Sequence, residues 1–300
     1  MTRIFLLDHN QALADIKDAF ELTDNIDEAD AVVLWEDVVG WPASVARLAR
    51  SKKKPLIVMQ HGINAVIDYG PPRKHELLAD KLLVWSPSDV RLLQSFGISK
   101  DRYQMTGTTI FSHLKEKLEH EGVNIVFKPA HWDTDLQENY EVADKLREIV
   151  KKNPGWFITT KVMERNDSDK FDNKVFSNRE ELGHLESCAD VLSKADIVVG
   201  IGGDGTFELM AYAMDIPVVT VLNWREKPFL DGETVAMKYT SANTLTSLDN
   251  LEETIWRVLK NKNENKEERR LVALDYGGIG ITNPREDIIN AIKSTTHKSI

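Results

Sequence analysis

The stretch with the most chemical content is Gly200, Gly202, Gly203, Asp204, Gly205, Thr206 and Glu208, which closes an apolar run and opens a helical one. Four glycines within six residues let backbone N–H groups turn inward without Cβ clashes. The helix that begins at Thr206 aims its positive N-terminus at the same point. Together these features make a phosphate seat, so the first expectation is a nucleotide or another phosphorylated ligand. A bare strand-to-helix turn seldom uses so many glycines. Gly200, Gly202 and Gly205 also spell G-x-G-x-x-G, but the dinucleotide fingerprint requires an acidic residue about 20 positions on, at the end of the next strand. That strand, 216–222, is followed instead by Asn223 and Trp224.

A seat of this kind needs a buried strand before it and a helix after it, and the apolar pattern supplies both along the whole chain. Runs at 3–7, 31–35, 55–60, 81–85 and 102–106 are short, β-branched or aromatic, and separated by helix-length segments at 10–22, 42–51 and 88–96. Short, fully apolar strands alternating with helices predict a parallel sheet covered on both faces. A charged helical stretch over 111–121 leads to Gly122, after which strands recur at 124–128, 156–161, 196–200 and 216–222. Helices are predicted at 138–152, 178–194, 206–214, 250–260 and 283–294, and 260–270 reads as a solvated helix face. The expected fold class is therefore α/β with two doubly wound domains, 1–121 and 122–282, and a C-terminal helix over 283–300 placed to pack back on the first.

Ligands of such sheets bind beyond the carboxyl ends of the strands, in the cleft between the two domains. On the first side the loops there carry Asp8, His9, Glu36, Asp37, Gln60, His61, Gly62, Ser86 and Asp89; on the second they carry His131, Trp132, Lys161, the glycine loop and Trp224. Composition narrows the classes further. A chain of 300 residues with 42% hydrophobic and 29% charged residues is an ordinary folded protein, not a disordered one. A net charge of −10 argues against a broad nucleic-acid footprint, which needs clustered Lys and Arg. The one cysteine, Cys188, excludes an internal disulfide framework and a cysteine metal cluster, and is expected to be a buried filler. With no apolar run of about 18 residues and no leader-like N-terminus, a cytoplasmic protein without a transmembrane segment is expected.

Several motifs resemble a known family. Val58-Met59-Gln60-His61-Gly62, then Ala79 to Ser86, then Met105-Thr106-Gly107 are similar to the closing part of the first domain of GT-B glycosyltransferases. Ile125 to Trp132, Phe157 to Lys161 and the glycine loop with Glu208 are similar to that fold's donor domain. The nearest branch is the one shared by UDP-N-acetylglucosamine 2-epimerases and CDP-glycerol glycerophosphotransferases, and the resemblance spans nearly the whole chain. Thr108 to His113 departs from the aspartate-bearing continuation common in that family. The resemblance implies GT-B architecture, two Rossmann-like domains facing a central cleft. It also implies that Glu208 binds the donor ribose while Gly202, Gly203, Asp204, Gly205 and Thr206 receive the diphosphate.

Sugar transfer needs a base for the acceptor hydroxyl and positive or N–H groups for the leaving diphosphate. His61 is the first candidate base, with Asp8, His9 and Asp37 as rivals. Lys128, His131 and Lys161 are the candidates to balance the diphosphate. No metal is expected, since Asp204 has no second carboxylate at ligand spacing, and no cofactor, the nucleotide-sugar being the substrate. The expected partners are that donor and an unidentified acceptor, and a homodimer is compatible with the reading. Alternatives are a nucleotide-sugar 2-epimerase, a non-catalytic nucleotide-binding protein, and a kinase of the type whose GGDGT string matches Gly202 to Thr206, which the domain order disfavours.

Overall fold

The computed structural model describes residues 1–7, 14–38, 40–62, 65–71, 74–129, 137–161, 180–182, 187–201, 205–221, 243–280 and 283–297. Contacts divide the chain into two compact units, Met1–Ser112 with Leu274–Ile300, and His113–Ala273.

The first unit holds six parallel strands: β1 (Arg3–Leu6), β2 (Glu21–Thr23), β3 (Ala31–Leu34), β4 (Leu56–Met59), β5 (Lys81–Val84) and β6 (Tyr103–Met105), in the spatial order β2-β1-β3-β4-β5-β6. Successive side chains point to opposite faces. Accordingly Val32, Leu34, Leu56, Val58, Leu82 and Val84 enter one core, while Ala31, Val33, Ile57, Met59 and Leu83 enter the other. Helix α1 (Gly40–Ser51) covers the first face through Val45, Ala46 and Ala49. Helix α2 (Pro87–Ser95) covers it through Leu93. The second face is closed from far along the chain by Ile288, Ile289, Ala291 and Ile292 of the C-terminal helix Pro284–His297.

The second unit holds β7 (Val123–Lys128), β8 (Trp156–Thr160), β9 (Glu180–Leu182), β10 (Ile197–Ile201), β11 (Val218–Val221) and β12 (Thr244–Leu245), ordered β12-β11-β10-β7-β8-β9 and all parallel. Counted from β7, this is the Rossmann order 3-2-1-4-5-6, whose reversal falls between β7 and β10. Helices α3 (Gln137–Lys152), α4 (Cys188–Ser193), α5 (Thr206–Ala213) and α6 (Leu251–Lys260) follow strands, α7 (Lys266–Gly277) begins in this unit, and Pro284–His297 is α8.

Of 10–22, read as helical, residues 10–13 lie outside the described residues, and the later part holds a 3-10 turn at Lys17–Ala19 followed by β2. That edge strand pairs through its backbone with β1, where Arg3 Nε also donates to Glu21 Oε1 at 2.8 Å. Residues 111–121 begin as a 3-10 turn, Thr109–His113, and then run without regular structure. Here tertiary contacts override helical propensity. Leu118 N–H donates to the Ser193 carbonyl at 2.7 Å, and Lys117 pairs with Asp196 at 2.8 Å. No helix among the described residues is long and apolar enough to cross a membrane.

Candidate functional site

At the reversal point of the second sheet, Lys128 at the end of β7 stands in register with Gly200 of β10. Loops leaving two such strands turn to opposite faces, which opens a crevice at the carboxyl edge of the sheet. Helix α5 starts there, with Gly205 as its N-cap and Glu208 in its first turn. Residues Phe207 to Tyr212 are all buried, so this short helix is enclosed on every side and carries Glu208 into the interior with it.

Glu208 is 1% exposed, and neither of its carboxylate oxygens has a hydrogen-bond partner among the described residues. The Lys128 ammonium stands 3.6 Å from Oε1, beyond hydrogen-bond reach. A Cβ at Gly200 would lie 2.5 Å from Oε1, and one at Gly205 would lie 2.5 Å from Oε2. Those two glycines thus make room for the carboxylate, a steric task separate from freeing N–H groups for a phosphate. A buried carboxylate is costly unless hydrogen bonds replace its lost hydration. Glu208 is therefore suited to accept a pair of hydroxyl donors.

Lys128 and Lys161 are 8% and 5% exposed, not surface groups at strand ends. Lys161 directly follows β8, where its N–H donates to the Phe127 carbonyl at 2.8 Å. Cys188 begins α4 behind an N-cap in which Ser187 Oγ accepts the Asp190 N–H. Its thiol is pushed up mainly by burial; Lys161 and Lys128 pull it down, and Glu208 pushes it further up. The Ser187-x-x-Asp190 capping signature was legible and would have put Cys188 at a helix start, which in a βαβ unit lies on the carboxyl edge of the sheet.

In the first unit His61 follows β4. Its Nδ1 lies 3.0 Å from the Trp35 carbonyl oxygen, which can only accept, so Nδ1 carries the proton. In the neutral ring Nε2 is then the basic nitrogen, the tautomer a general base requires. The Trp35 ring meets the imidazole edge-on, with centroids 4.8 Å apart. The neighbouring Gln60 is clamped: Nε2 donates to the Gly62 carbonyl at 2.9 Å and to Asp89 Oδ1 at 3.1 Å, while Oε1 accepts the Trp85 N–H at 2.9 Å. Trp85 Nε1 returns a bond to the Gln60 carbonyl at 2.8 Å. Burial raises the Asp89 carboxyl to about 7 against the bonds from Ser86 and Gln60 that favour its ionised form.

His61 lines a pocket with Trp35, Glu36, Asp68 and Tyr69. Burial, then the charges of Asp68 and Asp37, raise the Glu36 carboxyl to about 7. Asp37, a rival base by sequence, is saturated. Tyr69 Oη, Leu78 N–H and Ala79 N–H each donate to it at 2.8 Å, so it holds the 69–79 segment and has no reason to take a substrate proton.

The structure thus brings together Lys128, Gly205 and Glu208 beside Gly200, with Thr206 as the first residue of α5, and buries Lys161 directly after β8. His61 belongs to the other unit. Asp8, His131, Gly202, Gly203 and Asp204, like His9, Trp132 and Trp224, lie outside the described residues.

No protein-family model matches the chain, and no curated protein matches it in sequence. Solved structures match its fold. A UDP complex of MnaA from S. aureus is 12% identical, with a TM-score of 0.66 over 99% of this chain and 97% of that one. A putative UDP-N-acetylglucosamine 2-epimerase from Listeria monocytogenes is 16% identical, with a TM-score of 0.63 over 99% and 88%. The wall teichoic acid polymerase TagF is 12% identical, with a TM-score of 0.63 over 99% and 89%. These have GT-B-type folds, and this chain has that fold.

Proposed function

From a chain of GT-B fold we propose a transferase that moves a sugar, or glycerophosphate, from a nucleotide-activated donor to an acceptor hydroxyl without a metal ion. The observation that carries this reading is Glu208, a buried carboxylate with no hydrogen-bond partner among the described residues, beside Lys128 at the reversal point of a Rossmann-ordered sheet. In this reading Glu208 accepts the two ribose hydroxyls. Lys128, Lys161 and the N–H groups at the start of α5 take the charge of the departing phosphate, so no metal is needed. His61 Nε2 removes the acceptor's proton as its oxygen forms the new bond. The UDP bound by MnaA makes uridine nucleotides the first to try.

The test is calorimetric titration with UDP-, CDP-, GDP- and dTDP-sugars and CDP-glycerol, in EDTA. One of these should bind wild type and bind Glu208→Gln at least about tenfold more weakly, a loss of about 1.4 kcal/mol. Equal binding to both proteins would remove Glu208 from the site, and a requirement for divalent metal would remove the metal-free mechanism.

A second reading is a nucleotide-sugar 2-epimerase. It is favoured by Glu36 and Asp68 lining one pocket with His61, since epimerisation needs acid and base groups acting on the sugar itself. The two readings separate simply. An epimerase converts UDP-N-acetylglucosamine alone, whereas a transferase holds it unchanged until an acceptor is added.

A further inference from the structure

We propose that Thr220 is a further binding residue of the nucleotide seat, its hydroxyl contacting one of the two ribose hydroxyls that Glu208 accepts. This inference rests on the reading above for what the seat holds. Thr220 lies on β11 in register with Gly200 of β10, which is in turn in register with Lys128 of β7. Their chain neighbours Phe127, Val199, Ile201, Val219 and Val221 all enter the core on one face of the sheet. Alternation along each strand therefore turns Lys128, the bare Cα of Gly200 and the side chain of Thr220 to the other face. That is the face of Glu208, since a Cβ on Gly200 would stand 2.5 Å from its Oε1.

The second observation is the hydroxyl itself. Thr220 is 1% exposed, and its Oγ1 has no hydrogen-bond partner among the described residues. A buried hydroxyl without a partner costs free energy that valine, of the same shape, would not. The rest of β11 is valine, at Val218, Val219 and Val221. Adjacent strands stand about 4.8 Å apart, so Thr220 begins one strand spacing from the Gly200 position against which Glu208 rests. The two side chains do not bond each other. One oxygen hydrogen-bonded to both would span up to about 5.5 Å, so a single ligand hydroxyl set over Gly200 can reach each of them.

The chemistry of the pair selects the ligand group. The Glu208 carboxylate accepts hydrogen bonds only, whereas the Thr220 hydroxyl both donates and accepts. A ribose hydroxyl that donates to Glu208 keeps its lone pairs for the Thr220 O–H, and the second ribose hydroxyl donates to the other carboxylate oxygen. A phosphate oxygen in the same place would be repelled by Glu208, so the space takes a neutral hydroxyl. Thr220 thereby distinguishes the two hydroxyls, which a symmetrical carboxylate by itself cannot do.

The experiment titrates the intact protein with UDP, CDP and GDP, and then with the 2′-deoxy and 3′-deoxy forms of the nucleotide that binds. Thr220→Val should bind the ribonucleotide about five- to tenfold more weakly than wild type, and Thr220→Ser within about twofold of it. The deoxy form lacking the hydroxyl that Thr220 contacts should bind Thr220→Val and wild type equally, while the other deoxy form shows the full loss. The melting temperature of unliganded Thr220→Val should equal or exceed that of wild type, because no bond within the fold is removed. If a nucleotide binds wild type but Thr220→Val binds it equally well, weakens all three forms alike, or melts lower without ligand, the assignment of Thr220 falls and the transferase reading stands. If none of the three ribonucleotides binds wild type, the transferase reading falls and takes this inference with it.

Discussion

Asp37 and Glu208 are both carboxylates with 1% exposure, one in each unit, and they are held in opposite ways. Asp37 accepts from a phenol and two backbone N–H groups, each at 2.8 Å. Glu208 has one ammonium at 3.6 Å and no hydrogen bond among the described residues. Burial alone therefore does not mark a binding group. Saturated, a buried carboxylate ties loops together; unsaturated, it retains the capacity to bind something else. The same contrast extends outward. Around His61, Gln60 and Asp89 form a closed network that fixes the strand end. Around Glu208, two glycines leave room for the carboxylate and one buried lysine stands 3.6 Å from it.

The largest effect expected from this contrast is kinetic. His61→Ala should slow transfer about 10²- to 10⁴-fold while leaving donor affinity within about twofold, because in the proposed reaction its unit supplies a base and not the nucleotide seat. Steady-state rates and titration on one preparation check this, and lost donor binding would break the division of labour.

Next come paired stability measurements. Asp37→Ala leaves the Leu78 and Ala79 N–H groups without their partner and should cost about 2–4 kcal/mol in denaturant unfolding, with Tyr69→Phe nearer 1 kcal/mol. Glu208→Gln should stay within about 1 kcal/mol of wild type, since it breaks no hydrogen bond, and lose its affinity instead. A large stability loss in Glu208→Gln would make the two carboxylates alike.

Gly205→Ala sharpens the same point. Its Cβ would meet Glu208 Oε2 at 2.5 Å, so the change should cost about 1–3 kcal/mol in wild type and almost nothing in Glu208→Ala. A double-mutant cycle reads this coupling.

The smallest effect, taken per pH unit, is the titration of Asp89. Its folded carboxyl is raised to about 7 from the ordinary 3.8, so its protonated form is the one the fold favours. The stabilisation this gives is complete below pH 3.8 and is lost as pH rises through about 7. Relative to Asp89→Asn, wild type should lose up to about 1.4 kcal/mol per pH unit across that window and nothing more above it. Parallel unfolding curves for the two proteins between pH 4 and 8 check the sign.

Much of the fold was legible because parallel, doubly covered sheets write themselves as short apolar runs. Ala31 to Leu34, Leu56 to Met59 and Ile197 to Ile201 are buried at every position, and each was found to within a residue or two. The strands β2, β9 and β12 escaped because two or three residues carry no measurable period, and an edge strand is made by its partner's free N–H and C=O groups. Residues 111–121 escaped for the converse reason: their charges look helical locally, but Lys117 and Leu118 are held by Asp196 and Ser193.

By itself the sequence determined the alternation of strands and helices, and Glu208 in the first turn of the helix after β10, since these follow from patterns within one or two turns of chain. Tertiary structure alone decided that Asp37 is a strut, that His61 turns Nδ1 to the Trp35 carbonyl, and that Glu208 and Lys128 share a buried space. Each of those outcomes depends on partners far away along the chain: Asp37 meets donors 32 to 42 positions on, and His61 an acceptor 26 positions back. A hydrogen bond's distance and direction are set by how the elements pack, and local propensity carries no information about that.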